Sequence, residues 1–445
     1  MTPASAPTTV SAITRRYLVL DGLRWLPTGL FIPILVLLFT GRGFSLTEFG
    51  IVGTIMAATT FLLELPTGGL ADALGRRRVL LVACGFLLVA KAILFTVAAS
   101  TGRPSWAVVA IASIAMGVYR ALESGPLGAW YVDAVHAVDV DADVEAGLGQ
   151  AGTVTGLSIA TGSLAAGGIM AWDPIATLDP MAVVMGVSIF FVLLQALSLM
   201  LLMTELRPPL GIDALMASAR DVPSVIRETL SLVRTGRVLV LLLVVEATWS
   251  VGMVAFENLF PVRLADLVGS TDGGAALLGP VSAAGWAASG AGAFFVVRLS
   301  RRLGPYRTGA LLRLVQAGFI VAMGLVAGVA GIVAAFIATY LVHGASGPVH
   351  LNLVHRQVDA DHRATALSLN SMVAFASFSV AGIGIGAIAD QVSVPVAMVT
   401  CAVVAALGAV AYLAARRADP THGRGQDPAG MPATTGDEDS VHVGA

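Results

Sequence analysis

Apolar runs of membrane-spanning length recur along nearly the whole chain, and they limit its fold more than any other feature. Each run has roughly 18–25 residues, enough for a helix to cross a hydrocarbon core about 30 Å thick. Because a bilayer offers no water to backbone polar groups, such runs fold there as α-helices. Hydropathy predicts twelve spans, near residues 17–39, 49–70, 79–99, 105–127, 149–171, 182–203, 238–260, 274–297, 308–328, 331–351, 367–388 and 394–415.

The composition excludes a soluble globular protein and gives no support to a nucleic-acid partner. The 445-residue chain is 56% hydrophobic and only 12% charged, and its mean hydropathy is +0.85. Its formal net charge of -2 lacks the basic excess that nucleic-acid binding requires. We therefore expect an all-α polytopic membrane protein that is surrounded by the lipid bilayer.

Arginines gather on alternate loops and predict how the chain is oriented. The opposite loops hold little more than Arg42, Arg103 and Arg263. By the positive-inside rule both termini are cytoplasmic, which agrees with an even number of spans in the inner (plasma) membrane. Arg15 and Arg16 precede a run too long for a signal peptide, so we expect a retained first span. The arginines on the cytoplasmic side are Arg15, Arg16, Arg76, Arg77, Arg78, Arg207, Arg220, Arg227, Arg234, Arg237, Arg298, Arg301, Arg302, Arg307, Arg356, Arg363, Arg416 and Arg417.

A more polar segment at residues 204–237 divides the spans six and six. Its apolar residues have the spacing of an amphipathic helix, so we expect a cytoplasmic linker that contains such a helix. The linker separates an N-terminal six-helix bundle, residues 17–203, from a C-terminal one, residues 238–415. Residues 1–16 and 416–445 contain too little apolar surface to fold alone, and we expect both to be disordered.

A short internal repeat indicates that the two halves are homologous. The sequence Val-Asp-Ala-Asp stands at residues 140–143, before the fifth span, and again at 358–361, before the eleventh. Its matched position in each half, more than its length, carries the inference. Transporters are commonly built from such repeats.

Charged and aromatic residues form helical stripes in spans one, four, seven and ten. A charge near the bilayer centre costs about 2.5–3.5 kcal/mol, so it usually faces a cavity or a partner. These faces are therefore candidates for the lining of a cavity, to which the tryptophans and other aromatic residues would add apolar and cation-binding surface. The alternative is that Asp21 with Arg24, and Arg120 with Glu123, are i, i+3 ion pairs that only hold helices together. The candidate cavity residues are Asp21, Arg24, Trp25, Tyr119, Arg120, Trp249, Phe256 and Tyr340.

Three residues are candidates for carrying a proton. An acid in a low-dielectric cavity can load and release a proton near neutral pH, and imidazole titrates near pH ~6.5. The candidates are Glu123, Glu246 and His343. For each, the alternative is that a tertiary partner satisfies the side chain.

Neither a metal nor a cofactor is expected. Cys84 and Cys401 lie inside apolar runs, where a small buried hydrophobic residue is the simpler interpretation. His343, His350 and His355 are spread over several helical turns, which is poor geometry for a metal. Because no nucleophile with a nearby base and no phosphate loop appears, we do not expect an enzyme.

The loop at residues 64–78 places an acid and a basic cluster between two spans. It resembles the loop between the second and third helices of the major facilitator superfamily, whose pattern is Gly-x-Leu-Ala-Asp-Arg-x-Gly-Arg-Arg, and it departs from that pattern at Ala73. The resemblance implies twelve transmembrane helices in two pseudo-symmetric six-helix bundles. It also implies a cytoplasmic gate in which Asp72 approaches the N-terminus of the eleventh helix and Arg76 pairs with Asp133. The gate residues are Gly68, Asp72, Gly75, Arg76, Arg77 and Asp133.

A second resemblance concerns the direction of transport. Arg120-Ala-Leu-Glu123-Ser-Gly125 is similar to the Arg-x-x-Gln-Gly motif of proton-driven drug exporters, with Glu in the Gln position and one extra residue before the glycine. Leu157 follows Gly156 where those antiporters carry proline. The resemblance favours a monomeric secondary active transporter that exports small, partly hydrophobic molecules in exchange for protons by alternating access. The alternatives are proton-coupled uptake of a small organic solute and, from another class, a membrane receptor or scaffold that does not transport.

Overall fold

Twelve helical spans form the fold, and each is long and apolar enough to cross a membrane. The computed structural model describes residues 9–205, 211, 236–359 and 362–419, without the side chains of residues 65–69, 72 and 364. In order, spans 1 to 12 are Val10–Gly41, Leu46–Glu64, Arg76–Ala99, Trp106–His136, Glu145–Trp172, Pro180–Leu202, Arg237–Val268, Thr271–Leu303, Pro305–Leu325, Val329–His355, Thr365–Gln391 and Val394–Ala418. The predicted all-α membrane fold is confirmed.

Three of these spans are interrupted. Span 1 breaks at residues 32–34, where Pro33 has no N–H to donate to the helix. Span 4 breaks at Gly125, whose φ of +96° favours glycine, and span 7 contains a π-helical turn, Ala255–Leu259. The helices on either side of the breaks are Val10–Phe31 and Leu35–Gly41, Trp106–Glu123 and Pro126–His136, and Arg237–Val254 and Phe260–Val268.

The ends of the spans differ from the predicted boundaries. The first helix begins at Val10, so the predicted disorder of residues 1–16 is corrected for residues 10–16. Hydropathy misses residues 10–16 because Arg15 and Arg16 lower the mean hydropathy of this segment. In the structure, Arg16 donates to the carbonyl O of Leu202 at 3.5 Å. The last helix runs to Ala418, past the predicted boundary at 416. The remainder of both predicted tails and nearly all of the predicted linker helix lie outside the described residues.

The spans pack as two bundles with matching internal contacts. Span 1 packs on span 5 as span 7 packs on span 11, and the pairs 3 with 6 and 2 with 4 recur as 9 with 12 and 8 with 10. Each bundle buries its own apolar core, which includes Leu87 and Leu199 in the first and Leu242 and Leu353 in the second. The bundles meet where span 2 packs on span 11 and span 5 on span 8.

The bundles are joined at one side of the membrane. Near the end of span 11, the carboxylate of Asp390 accepts the backbone N–H groups of Leu46 and Thr47, at 3.0 and 2.8 Å, and the Thr47 hydroxyl at 2.6 Å. At the other inter-bundle contact, a Cβ added to Gly279 in span 8 would lie 2.6 Å from the Cα of Gly167 in span 5. Under the predicted orientation this is the outer side.

Toward the inner side, two further glycines of spans 5 and 8 meet no neighbour. Eleven residues inward from the Gly167–Gly279 contact, Gly156 in span 5 and Gly290 in span 8 both border open space. Eleven residues are close to three helical turns. Gly156 and Gly167 therefore lie on one face of span 5, and Gly279 and Gly290 lie on one face of span 8. We interpret the arrangement as inward-facing.

Candidate transport pathway

A cavity of about 250 Å³ lies between the bundles. Residues of spans 1, 2, 4, 7 and 11 line it, and its surface is mainly apolar. The apolar wall includes Met56, Phe61, Met372, Phe375 and Phe378, and the polar groups are Thr60, Glu64, Arg120, Asn258 and Ser379. A cavity with an apolar wall and a few convergent polar groups is typical of small-molecule binding sites.

A smaller, more polar recess of about 100 Å³ adjoins this cavity. The two share Glu64, Arg120 and Phe375 in their linings. The Arg120 guanidinium lies 5.5 Å from the centre of the Phe375 ring, so the contact crosses from the first bundle to the second. Of the predicted cavity residues, the recess brings together Arg24, Trp25, Tyr119, Arg120 and the proton candidate Glu123.

An ion pair between spans 1 and 4 forms one wall of the recess. Arg24 donates from Nη2 to Glu123 Oε2 at 2.6 Å, and its Nε contacts Oε1 of the same carboxylate. Asp21 lies 3.8 Å from Arg24 and accepts a hydrogen bond from Thr155 at 2.9 Å. Asp21 and Arg24 are therefore within ion-pair distance at the i, i+3 spacing. Glu123 pairs instead with Arg24 from another helix.

In the second bundle, Glu246 is part of a buried polar cluster. Its carboxylate lies 3.3 Å from Nε2 of His350, and the same nitrogen lies 3.0 Å from Oδ1 of Asn370. The Tyr412 hydroxyl lies 2.9 Å from the other ring nitrogen of His350. These neighbours assign the proton to Nε2, because both of its partners are acceptors. Glu246, which has no basic neighbour within a helical turn of its own span, thus gains one from span 10.

Three aromatic residues predicted at the cavity, Trp249, Phe256 and Tyr340, pack mainly inside the second bundle together with the proton candidate His343. Phe256 and Tyr340 are only 2% and 3% exposed, in its core, so their predicted place at the solute cavity is corrected. The His343 ring stacks on Trp249 with centres 5.0 Å apart and also contacts Phe256 and Tyr340. The Tyr340 hydroxyl donates to Glu257 at 2.7 Å.

The predicted ion pair of the cytoplasmic gate joins the start of span 3 to the inner end of span 4. Arg76 Nη1 lies 2.6 Å from Asp133 Oδ2. Gly75, at φ +95°, is the N-cap residue directly before span 3. The carboxylate of Glu205 accepts the first backbone N–H groups of that span, from Arg76 and Arg77, at 3.0 and 3.2 Å. A Cβ at Gly75 would lie 2.9 Å from Glu205 Oε2, so glycine leaves room for this remote cap.

For Asp72 and Gly68 the structure describes the helical backbone but not the side-chain surroundings. Helix Leu46–Leu74 includes both positions. The approach of Asp72 to the start of span 11 therefore stays a prediction, and so does the role of the whole set as a gate.

Several residues of these sites were not predicted. Arg313 stands among leucines in span 9 and lines a cavity with Glu246; the cost of a charge in a membrane, applied to span 9, would have found it. Thr155, Asn370 and Tyr412 gave no periodic signal. Among the described residues, no group of three His, Cys, Asp or Glu side chains is placed to hold a metal ion.

Two six-helix bundles around a cavity with apolar and charged walls define the architecture of a membrane transporter. The family model of the Major Facilitator Superfamily matches residues 22–347, and the chain belongs to that family. The family comprises transporters rather than enzymes, and its members act within a membrane on small molecules. No curated protein sequence matches the chain.

Solved transporters have the same fold. The nucleoside transporter NupG matches with a TM-score of 0.71 at 11% identity, over 91% of this chain and 98% of that chain. A proton-dependent oligopeptide transporter matches at 0.67 and 14%, over 92% and 99%. A bacterial homologue of the iron transporter ferroportin, in an inward-facing state, matches at 0.67 and 15%, over 91% and 98%. At these identities the likeness establishes the fold alone.

Proposed function

We propose that the chain exports a small, partly hydrophobic solute in exchange for protons, by alternating access. The observation that carries the proposal is the cavity between the bundles, whose apolar wall adjoins a recess with Arg24 and Glu123. The cavity lies where a rocking motion of the bundles would expose it to each side in turn.

Proton coupling is proposed to act through the ion pair at the recess. A proton on Glu123 would remove the negative charge that holds Arg24 at 2.6 Å. The recess would then gain a positive charge beside Glu64 and Arg120, which also line the larger cavity. Solute binding and proton binding would thereby influence each other. Glu246, held by His350, is the second proposed carrier.

Flux in proteoliposomes tests the proposal. Matched aromatic solutes of each charge type (benzylamine, benzyl alcohol and benzoate) are offered under an imposed pH gradient, with a pH-sensitive dye inside the vesicles. We expect solute-dependent proton movement in the wild type and at least a tenfold loss in the Glu123→Gln, Glu246→Gln double variant. Unchanged coupling in that variant would refute the proposed carriers.

The direction of transport needs a separate measurement. Cells that express the chain should accumulate less of a transported solute than cells that lack it. Greater accumulation would instead support the uptake alternative. A chain that moves no solute in either system over a broader screen would support the receptor or scaffold alternative.

A further inference from the structure

Arg313 in span 9 is an arginine deep inside the second bundle. It is 2% exposed, and neither its Nε nor its Nη1 has a hydrogen-bond partner among the described residues. The nearest aromatic contact is the Trp249 ring, whose centre lies 5.2 Å from the guanidinium carbon. Glu246 shares a cavity with Arg313, and its charge acts on the guanidinium, but its carboxylate makes its close contact, at 3.3 Å, with His350.

Arg313 borders a cavity of about 150 Å³ within the second bundle. One water needs roughly 10–15 Å³ on this measure, so the cavity has room for much more than a single solvent molecule. Val245, Trp249 and Leu351 give it an apolar wall, and Asn370 offers a neutral polar group. Gly347 in span 10 also lines the cavity and has open space on its Cβ side.

Span 12 leaves room for the arginine. A Cβ added at Gly408 would lie 3.4 Å from Arg313 Cγ, tighter than most side-chain contacts. The long stem thus passes beside a glycine to reach the cavity. The Nε and Nη1 of Arg313 are left without acceptors among the described residues.

A buried guanidinium with unmet donors is costly, because its lost hydration is not replaced. Its planar fork of N–H groups matches the two oxygens of a carboxylate or a phosphate. An oxyanion in the cavity would supply the missing acceptors. The apolar wall would contact a flat hydrophobic body attached to it.

We propose that this cavity binds the oxyanion group of a small aromatic or aliphatic acid through Arg313. The proposal rests on the proposed function in taking that acid as a solute of the transporter, and it adds the chemical class of the solute. Trp249 lies beside the guanidinium in the wall of the same cavity. Tyr412 in span 12, His350 in span 10 and Asn370 in span 11 form a hydrogen-bonded polar cluster.

Equilibrium binding to the purified full-length chain tests the site without requiring transport. The probe is radiolabelled benzoate, and the competitors are phenyl phosphate and the neutral isostere benzamide. We expect saturable benzoate binding that benzamide does not displace. Displacement by phenyl phosphate would extend the site to phosphate oxyanions, and failure to displace would restrict it to carboxylates. Absence of saturable benzoate binding, or equal displacement by benzamide, would overturn the proposal.

Variants assign the binding to the cavity. Arg313→Gln should weaken benzoate binding at least tenfold, and Arg313→Lys should weaken it less, since it keeps the charge but not the fork. The control is Arg298→Gln, which removes an exposed arginine that stacks on Phe294 and should leave affinity unchanged. Unchanged affinity in Arg313→Gln would overturn the site.

A second variant covers the case in which Arg313→Gln does not fold. Gly347→Leu places a side chain in open space at the cavity wall, so it should fold and should abolish benzoate binding. Full binding in Gly347→Leu would overturn the site. A chain that binds benzoate through Arg313 but carries no solute would refute the proposed transport and keep the site. If the chain transports a solute but binds benzoate independently of Arg313, the site is refuted and the proposed transport is kept.

Discussion

At the scale of single residues, the Arg24–Glu123 pair is a close charged contact between spans 1 and 4 in the polar recess. The Glu123 side chain is 9% exposed and that of Arg24 21%, so the pair is largely shielded from solvent. Removing one member of such a pair leaves a charge without its partner. Replacing both members by apolar residues of similar size removes that penalty.

Glu123→Leu should therefore destabilise the protein by about 1–3 kcal/mol, because Arg24 loses its closest acceptor. The double variant Arg24→Met, Glu123→Leu should recover most of this loss. The measurement is the free energy of unfolding in detergent. A double variant as unstable as the single one would mean that the pair is not the source of the effect.

Which residues would be polar and buried was predictable, but many of their partners were not. Helical spacing compares a residue only with its own helix, so it paired Asp21 with Arg24 and could not reveal that Glu123 meets Arg24 from another span. Glu246 likewise meets His350 through a contact between spans 7 and 10. Such contacts depend on how helices are rotated about their axes, which hydropathy does not encode.

At the scale of elements, Asp390 acts as a cap that belongs to one bundle and serves a helix of the other. Its carboxylate accepts the N–H groups of Leu46 and Thr47 at the start of span 2. A negative charge at a helix N-terminus is also favoured by the helix dipole. The predicted approach of Asp72 to the start of span 11 would be the counterpart at the other membrane face.

Asp390→Asn should weaken the outer junction and shift the protein toward outward-facing forms. The amide keeps the shape of the side chain but loses its charge and one acceptor oxygen. Cysteine accessibility from each side of the membrane measures the shift, and the buried Cys84 and Cys401 give little background. The control is Asp266→Asn, at an exposed position on the same side. Equal accessibility in both variants would contradict the capping role.

The existence of the twelve helices was predictable, because a membrane-length apolar run has few other ways to fold. The interruptions at residues 32–34, at Gly125 and at Ala255–Leu259 were not, since averaging over a span hides a local break. These breaks lie in three of the four spans with polar stripes. Phe256, which packs in the core rather than at the cavity, lies within the π-helical turn of span 7.

At the scale of the whole molecule, the proposed alternating access predicts that the inner halves of spans 5 and 8 meet when the protein faces outward. Gly156→Trp and Gly290→Trp should fold normally, because both positions border open space. Each should reduce transport at least tenfold by preventing closure of the inner side. The measurement is solute flux in proteoliposomes.

Gly168→Trp provides the matched control. It lies in span 5 beside the outer contact, and it also borders open space. Its transport should stay near that of the wild type. Normal flux in Gly156→Trp and Gly290→Trp would show that these faces do not come together during the transport cycle.

The contact between Gly167 and Gly279 has a further consequence when it is considered as the pivot of a lever. The open pair Gly156 and Gly290 lies eleven residues inward on each helix, a lever arm of about 16 Å at 1.5 Å per residue. A relative rotation of about 20° about the pivot would part the inner pair by about 6 Å over that arm. The width of the inner exit, and with it the size of the solute that can pass, is thus set by where along the helices the pivot lies.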